Sequence, residues 1–250
     1  MAPNAYRIRI PIGSRTFSAS WPMTLLTVAA VAAFISLGQW QWSKGDLRAR
    51  QAEAFAHGAD TAEPLGPRML SEVPRFQRVR VKGRLDTTHQ FLLDNRSNEG
   101  RAGYEVLTPL YREAAERGAI LVNRGWVPFS GFRERLPDVS FTSEGDVEVT
   151  GRVDELPVQG LASGHAAPTA DEPWPKVTSF PQATELSAML RFPLESRVLL
   201  LDADQPNGYV RQWQPPGMSP DRHWSYGVQW YSFAVLAIVL WVILGMRKKT

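Results

Sequence analysis

The sequence predicts a membrane protein in which two transmembrane helices, one near each end, flank a mainly β domain of small, barrel-like α+β architecture outside the cytoplasm. Three observations carry this. Apolar runs from Met23 to Trp42 and from Trp224 to Met246 contain no charge, and each is long enough at 1.5 Å per residue to cross a hydrocarbon core of roughly 30 Å. Between them the chain alternates apolar and polar residues with the period of strands. Finally, Arg7, Arg9 and Arg15 precede the first run and Arg247, Lys248 and Lys249 follow the second, so the positive-inside rule keeps both tails in the cytoplasm and puts the middle outside. The expected divisions are a tail over 1–20, a first span over 21–42, the outer domain over 43–222, a second span over 223–246 and a tail over 247–250.

In the first helix, Ala30, Val31 and Ala32 imitate the small-residue cleavage site of a signal peptide. The apolar stretch continues past them and ends in aromatic residues, as an anchor does. Leu47, Ala49, Ala52 and Phe55 then pattern a short helix from Lys44 to about His57, and Pro64, Gly66, Pro67 and Pro74 break the chain. Strands are expected at Val79–Leu85, Gln90–Asp94, Tyr104–Tyr111 and Ala119–Val127, with a turn cluster from Asn95 to Gly103. The segment Val147–Asp154 repeats the form of Val79–Asp86, V-x-V-x-G-R-(L/V)-D. It marks either two equivalent strands, each with a glycine where another backbone comes close, or chance recurrence of a common pattern. Gly160 to Pro175 reads as a long exposed loop, Thr184–Leu190 as a helix and Arg197–Leu201 as a last buried strand. Strands in such excess avoid open edges by closing, which suggests the barrel.

The charge distribution excludes nucleic acid as a partner. All 25 acidic residues and 22 of the 28 basic ones lie between Lys44 and Arg222, so the middle carries a net −3 and the excess cations sit in the tails. There is no cysteine, hence no disulfide or thiolate chemistry. Ser163 and His165 are close in sequence, but no G-x-S-x-G surrounds them. His57, His89, His165 and His223 are too scattered to pair on one helix face as metal ligands. Asp202-Ala203-Asp204 resembles the start of a calcium loop but lacks a glutamate at the twelfth position, and Asp154 with Glu155 reads as solvated loop charge. No constellation here points to an enzyme.

The second helix start does carry chemistry. Ser219, Pro220 and Asp221 have the form of an N-cap, a first-turn proline and a first-turn acid, which puts His223 one turn inside, at the outer membrane boundary. Gly227 and Trp230 follow four and seven residues later on one face, with Tyr226 beside them. Neutral imidazole is a good haem-iron ligand, and a glycine one turn below would let a porphyrin lie flat between aromatic rings. The same residues also suit an ordinary aromatic belt. Gln229, Gln39 and Gln41 are amides at similar depth, suited either to inter-helix hydrogen bonds or to a ligand.

Four segments together resemble the SURF1 (Surfeit locus 1) family: Leu37-Gly38-Gln39-Trp40-Gln41, Gly103-Tyr104-Glu105-Val106-Leu107-Thr108-Pro109-Leu110, Asn123-Arg124-Gly125-Trp126-Val127-Pro128, and His223-x-x-Tyr226-Gly227-x-Gln229-Trp230. The resemblance implies a non-enzymatic assembly factor of a bacterial inner membrane, serving haem-copper (aa3-type) cytochrome c oxidase. It implies haem a as the bound cargo and His223 as axial ligand of its iron; Tyr226, Gly227, Gln229, Trp230 and Arg124 are the further contacts expected from their positions. Implied partners are cytochrome c oxidase subunit I, haem A synthase and membrane lipid; the alternative is a scaffold that stabilises an oxidase intermediate without touching haem. Two positions depart from the family pattern: Gly227 stands where many members have Ala, and Lys44 where Arg is expected, without the bidentate fork that suits a propionate. In the outer domain, Asn95-Arg96 and Asn123-Arg124 both follow apolar strands, so Arg96 and Arg124 are expected on one rim, either meeting haem propionates or oxidase carboxylates, or capping turns. Gly125 is expected to allow a backbone bend and Trp126 to pack a core.

Overall fold

The computed structural model describes residues 7–12, 15–57, 61–112, 118–143, 145–158, 164, 166–215 and 217–248. Ser163 and His165 lie outside the described residues. The chain forms two compact units, Met1–Glu53 with Pro215–Thr250, and Ala54–Gln214.

The first unit is built on two long helices, α1 (Trp21–His57) and α3 (Pro220–Gly245), both long and apolar enough to cross a membrane. The first is a single helix: the short outer helix expected after Lys44 is its continuation, because no Gly-Pro break intervenes before residue 57. The tails pair with one another. Strand β1 (Arg7–Ile12) runs antiparallel to β2 (Arg15–Ser20), which in turn pairs with β11 (Met246–Lys248). Phe17 anchors this sheet by packing edge-on against Trp241 at 4.6 Å, over Gly245, where a Cβ would collide with its ring at 2.2 Å.

The second unit contains a five-stranded barrel. Strands β4 (Arg78–Leu85), β8 (Val147–Glu155), β10 (Leu194–Leu201), β7 (Ala119–Pro128) and β6 (Arg101–Tyr111) are hydrogen-bonded in that order, and β6 returns to β4 through Arg84 and Leu85. Every pairing in the ring is antiparallel except β10 with β7. Two short strands, β3 (Glu63–Pro64) and β9 (Lys176–Thr178), escaped sequence reading because they are too short to show a period; β9 extends the sheet through β5 (Phe91–Asn98). Alternation fills the interior with Val79, Val81, Leu85, Leu110, Ile120, Val122, Val149, Val153, Leu199 and Leu201, each removing roughly 1.5–3 kcal/mol of apolar side chain from water. The outer face of Leu107, Leu121, Val198 and Leu200 is covered by Leu186 of α2 (Ala183–Leu190) and by Trp174 and Trp213.

The two repeated segments are β4 and β8, which lie side by side. A Cβ on Gly83 would sit 2.4 Å from the Tyr111 carbonyl oxygen, and one on Gly151 would sit 2.4 Å from that of Leu200. Each glycine therefore marks where its strand lies tight against the neighbouring backbone, one on each flank of the pair. A turn of 3-10 helix, Leu70–Glu72, is stapled to the barrel by β10: Glu195 accepts a hydrogen bond from the Leu70 amide at 2.5 Å, and Arg197 donates to the carbonyl of Leu70 at 3.1 Å and to that of Val73. Asp202 is the partner of Arg78, at 2.5 and 2.9 Å.

Between β4 and β5 the carboxylate of Asp86 gathers a turn around itself. Burial alone would raise its pKa, but the amides of His89 and Thr88 and their side chains donate to it and hold it down to about 2. Tyr111 also donates to Asp86, and burial together with that carboxylate pushes the phenol up to about 12. Because the folded pKa of Asp86 lies below its unfolded value, its stabilisation is full above pH 4 and disappears between about 4 and 2. Asp86→Asn should therefore flatten the acid limb of the stability curve there, by about 2 kcal/mol, measured by urea unfolding at each pH.

Candidate functional site

Small residues let α1 and α3 come close. A Cβ on Gly38 would lie 2.6 Å from the Tyr231 ring, and one on Gly227 would meet Trp42 at 3.3 Å and the Gly38 carbonyl oxygen at 3.4 Å. Aromatic contacts line the two flanks of this crossing. On one flank Phe34 stacks with Trp230 at 5.8 Å, and both meet Phe233 at 5.8 Å. On the other, Trp42 tilts against Trp224 at 6.4 Å, and the Trp224 indole donates to Asp46 at 3.2 Å.

His223 stands at the end of the first flank. Its Nδ1 is 2.9 Å from Oε1 of Gln41, so the amide engages Nδ1 and leaves Nε2 as the ring nitrogen without that partner. This is the arrangement in which metal-binding histidines are oriented by a second partner. Tyr226, Trp230 and Phe233 follow His223 by nearly whole turns of helix, so all three fall on its side of α3. His223 and Trp230 are half-buried and Tyr226 is exposed. The result is a lateral face of the helix pair with an imidazole at one end and aromatic surface below it. Of the three helix amides, Gln41 is the inter-helix bond, whereas Gln39 and Gln229 are exposed, Gln229 on the outer margin of the same side.

Two of the expected contacts are engaged in packing. Gly227 is buried in the crossing under Trp42, where its missing side chain serves helix packing. Arg124 belongs to the other unit and is 2% exposed. Its Nε donates to the Asn207 carbonyl at 2.6 Å and its Nη1 to Gln90 at 3.0 Å, while its guanidinium lies over Phe141 at 3.7 Å and Tyr209 at 5.0 Å. Burial lowers its pKa, and these partners hold the charge where it is.

Neither Arg96 nor Arg124 leaves a strand end. The register shifts by one residue in β5 at Asp94–Asn95 and in β7 at Arg124–Gly125, on either side of β6. These bulges carry the positive φ values of Asn95 (60°) and Gly125 (111°), and the strands continue through them. The expected turn cluster shrinks to Glu99–Gly100, both at positive φ. Asn123 ties the second bulge, donating to Glu105 at 2.7 Å and accepting from the Gly125 amide at 3.1 Å. The segment before α3 docks there: the Tyr209 amide donates to the Arg124 carbonyl at 2.7 Å, and Trp126 and Val210 exchange backbone bonds at 2.8 and 3.2 Å. Trp126 is half-buried over Gly103 rather than in a core. The motif Asn123–Pro128 is thus a bulge that pins the outgoing chain.

Sequence reading missed the specific pairing of Gln41 with His223; their shared depth in the two apolar runs was the one signal. Among the described residues no group of three His, Asp or Glu is placed to hold a metal ion. The SURF1 family model matches residues 28–235 of this chain. Uncharacterized SURF1-like proteins of Mycobacterium bovis and Mycobacterium tuberculosis are each 28% identical to it over 228 residues, covering 87% of this chain and 80% of theirs.

Proposed function

Starting from the fact that this chain belongs to the SURF1 family, we propose that it is an assembly factor, not an enzyme, that holds haem a for insertion into subunit I of an aa3-type cytochrome c oxidase. The observation that carries the reading is His223, whose Nδ1 is engaged by Gln41, so that Nε2 is the atom that would ligate iron beside an aromatic face. Tyr226 and Trp230 would flank the macrocycle, and Gln229 would reach its edge. In this reading the two helices cross a bacterial inner membrane with both termini cytoplasmic, and the barrel faces the periplasm, where it meets the oxidase subunit; haem A synthase is the source of the cargo.

The test is an optical spectrum of the full-length protein purified from cells that make haem a, beside His223→Ala prepared identically. Haem a absorbance in the parent, lost in the variant while expression and unfolding midpoint stay equal, is the expected result. A colourless parent, or equal colour in both, would move the function to a scaffold without cargo. One feature favours that second reading: Phe132 is 66% exposed at the tip of a loop held by Ser130, whose hydroxyl donates to the carbonyls of Phe132 and Arg135.

A further inference from the structure

The charges around the membrane-boundary end of the helix pair are sorted by side. Lys44 and Arg48 follow Gln41 by close to one and two whole turns and so share its flank. Asp46 and Glu53 fall at half-turns from Gln41 and point to the other flank, where Asp46 accepts the Trp224 indole proton. On α3, Arg222 turns to the side of Tyr226 and Phe233, whereas Asp221 falls nearly opposite His223. The flank that carries His223 therefore has three cations and no acid at this level, and the opposite flank holds Asp46, Glu53 and Asp221.

Height orders the same flank. Lys44 and Arg48 stand about 5 and 10 Å beyond Gln41 toward the C-terminal end of α1, and Phe34 and Trp230 stand about 10 Å the other way. Arg48 is held in place: its guanidinium donates to Gln51 at 2.8 Å and lies against Gly217, where a Cβ would meet it at 2.8 Å. Cations, imidazole and aromatic rings thus follow one another down a single face.

We infer that this face binds its ligand edge-on, with two carboxylates turned toward Lys44 and Arg48 and the apolar body turned toward Trp230, Phe34 and Phe233. The inference rests on the haem reading above and adds the polarity of the bound molecule. With iron held at His223, Lys44 and Arg48 would be the side chains placed to meet carboxylates on the edge of the ligand that faces away from Trp230 and Phe34. Arg222 borders the same edge from α3. A lysine ammonium binds carboxylate as a point charge rather than a fork, and Arg48, held by its bond to Gln51, adds a second cation on the same face.

The test is a titration of the full-length protein in detergent micelles with haem a, and with the same haem after both propionates are converted to methyl esters. The proteins are the parent, Lys44→Gln/Arg48→Gln, Arg50→Gln as a charge control on the other flank, and His223→Ala. Loss of two charge-assisted contacts should weaken haem a binding roughly 30-fold in the double variant, with an unshifted absorbance maximum because the iron ligand is kept. The diester should bind parent and double variant equally, and Arg50→Gln should match the parent. Equal haem a affinity in parent and double variant, or an equal loss for the diester, overturns the inference while leaving the haem reading standing. Haem a bound as tightly by His223→Ala, or not bound by the parent, overturns both.

Discussion

Arg112→Met is expected to destabilise the barrel by about 3–5 kcal/mol, the range for breaking a buried ion pair from one side. Arg112 and Glu195 are 7% and 2% exposed, their side chains are in contact, and Glu195 also accepts from the Leu70 amide while Arg112 donates to the Arg68 carbonyl at 2.9 Å. Burial raises the Glu195 pKa, against the lowering pull of the Leu70 amide and Arg112. Removal of the guanidinium leaves a carboxylate in the interior with one hydrogen bond. The pair Arg112→Met/Glu195→Gln should recover at least about half of the loss, because the neutral amide still accepts from Leu70 and no charge remains buried. Urea unfolding of the full chain, followed by tryptophan fluorescence, gives all four corners of the cycle. A double variant no more stable than Arg112→Met would show that the charge is not what makes the site costly.

Gly125→Val is expected to cost about 3 kcal/mol or more, because a branched residue at φ 111° is strained and the backbone also has no room. A Cβ there would lie 2.7 Å from the Val210 carbonyl oxygen and 3.0 Å from the Tyr209 carbonyl carbon. The substitution should therefore detach residues 209–211 from β7 as well as strain the bulge. Hydrogen exchange would report this directly, with the amides of Trp126, Tyr209 and Val210 losing protection before the rest of the barrel. Unchanged protection at those three amides would refute the pinning role of the bulge.

Most elements were legible because alternation and length are local properties. Val79–Leu85, Ala119–Val127 and Val147–Asp154 each show the strand period, and their bounds hold to within one residue. Asn95 and Gly103 were misread as turn residues because bulges use the same amino acids as turns, and a sequence does not say whether the ladder resumes beyond them. For Arg124 the error has another cause: arginine is rarely buried, and the aromatic rings and carbonyl that pay for its burial come from residues 141, 207 and 209.

The sequence by itself determined the two apolar helices, the strand-rich middle, the candidate histidine and the family, since each depends on composition, period or short motifs. Tertiary structure decided which side of each helix is exposed. Gly227 and Trp230 are three residues apart, yet one is buried in the helix crossing and the other stacks on Phe34 at its flank. That choice is made by the close approach of a second helix at Gly38, and so is the pairing of His223 Nδ1 with Gln41, 182 residues away in the chain.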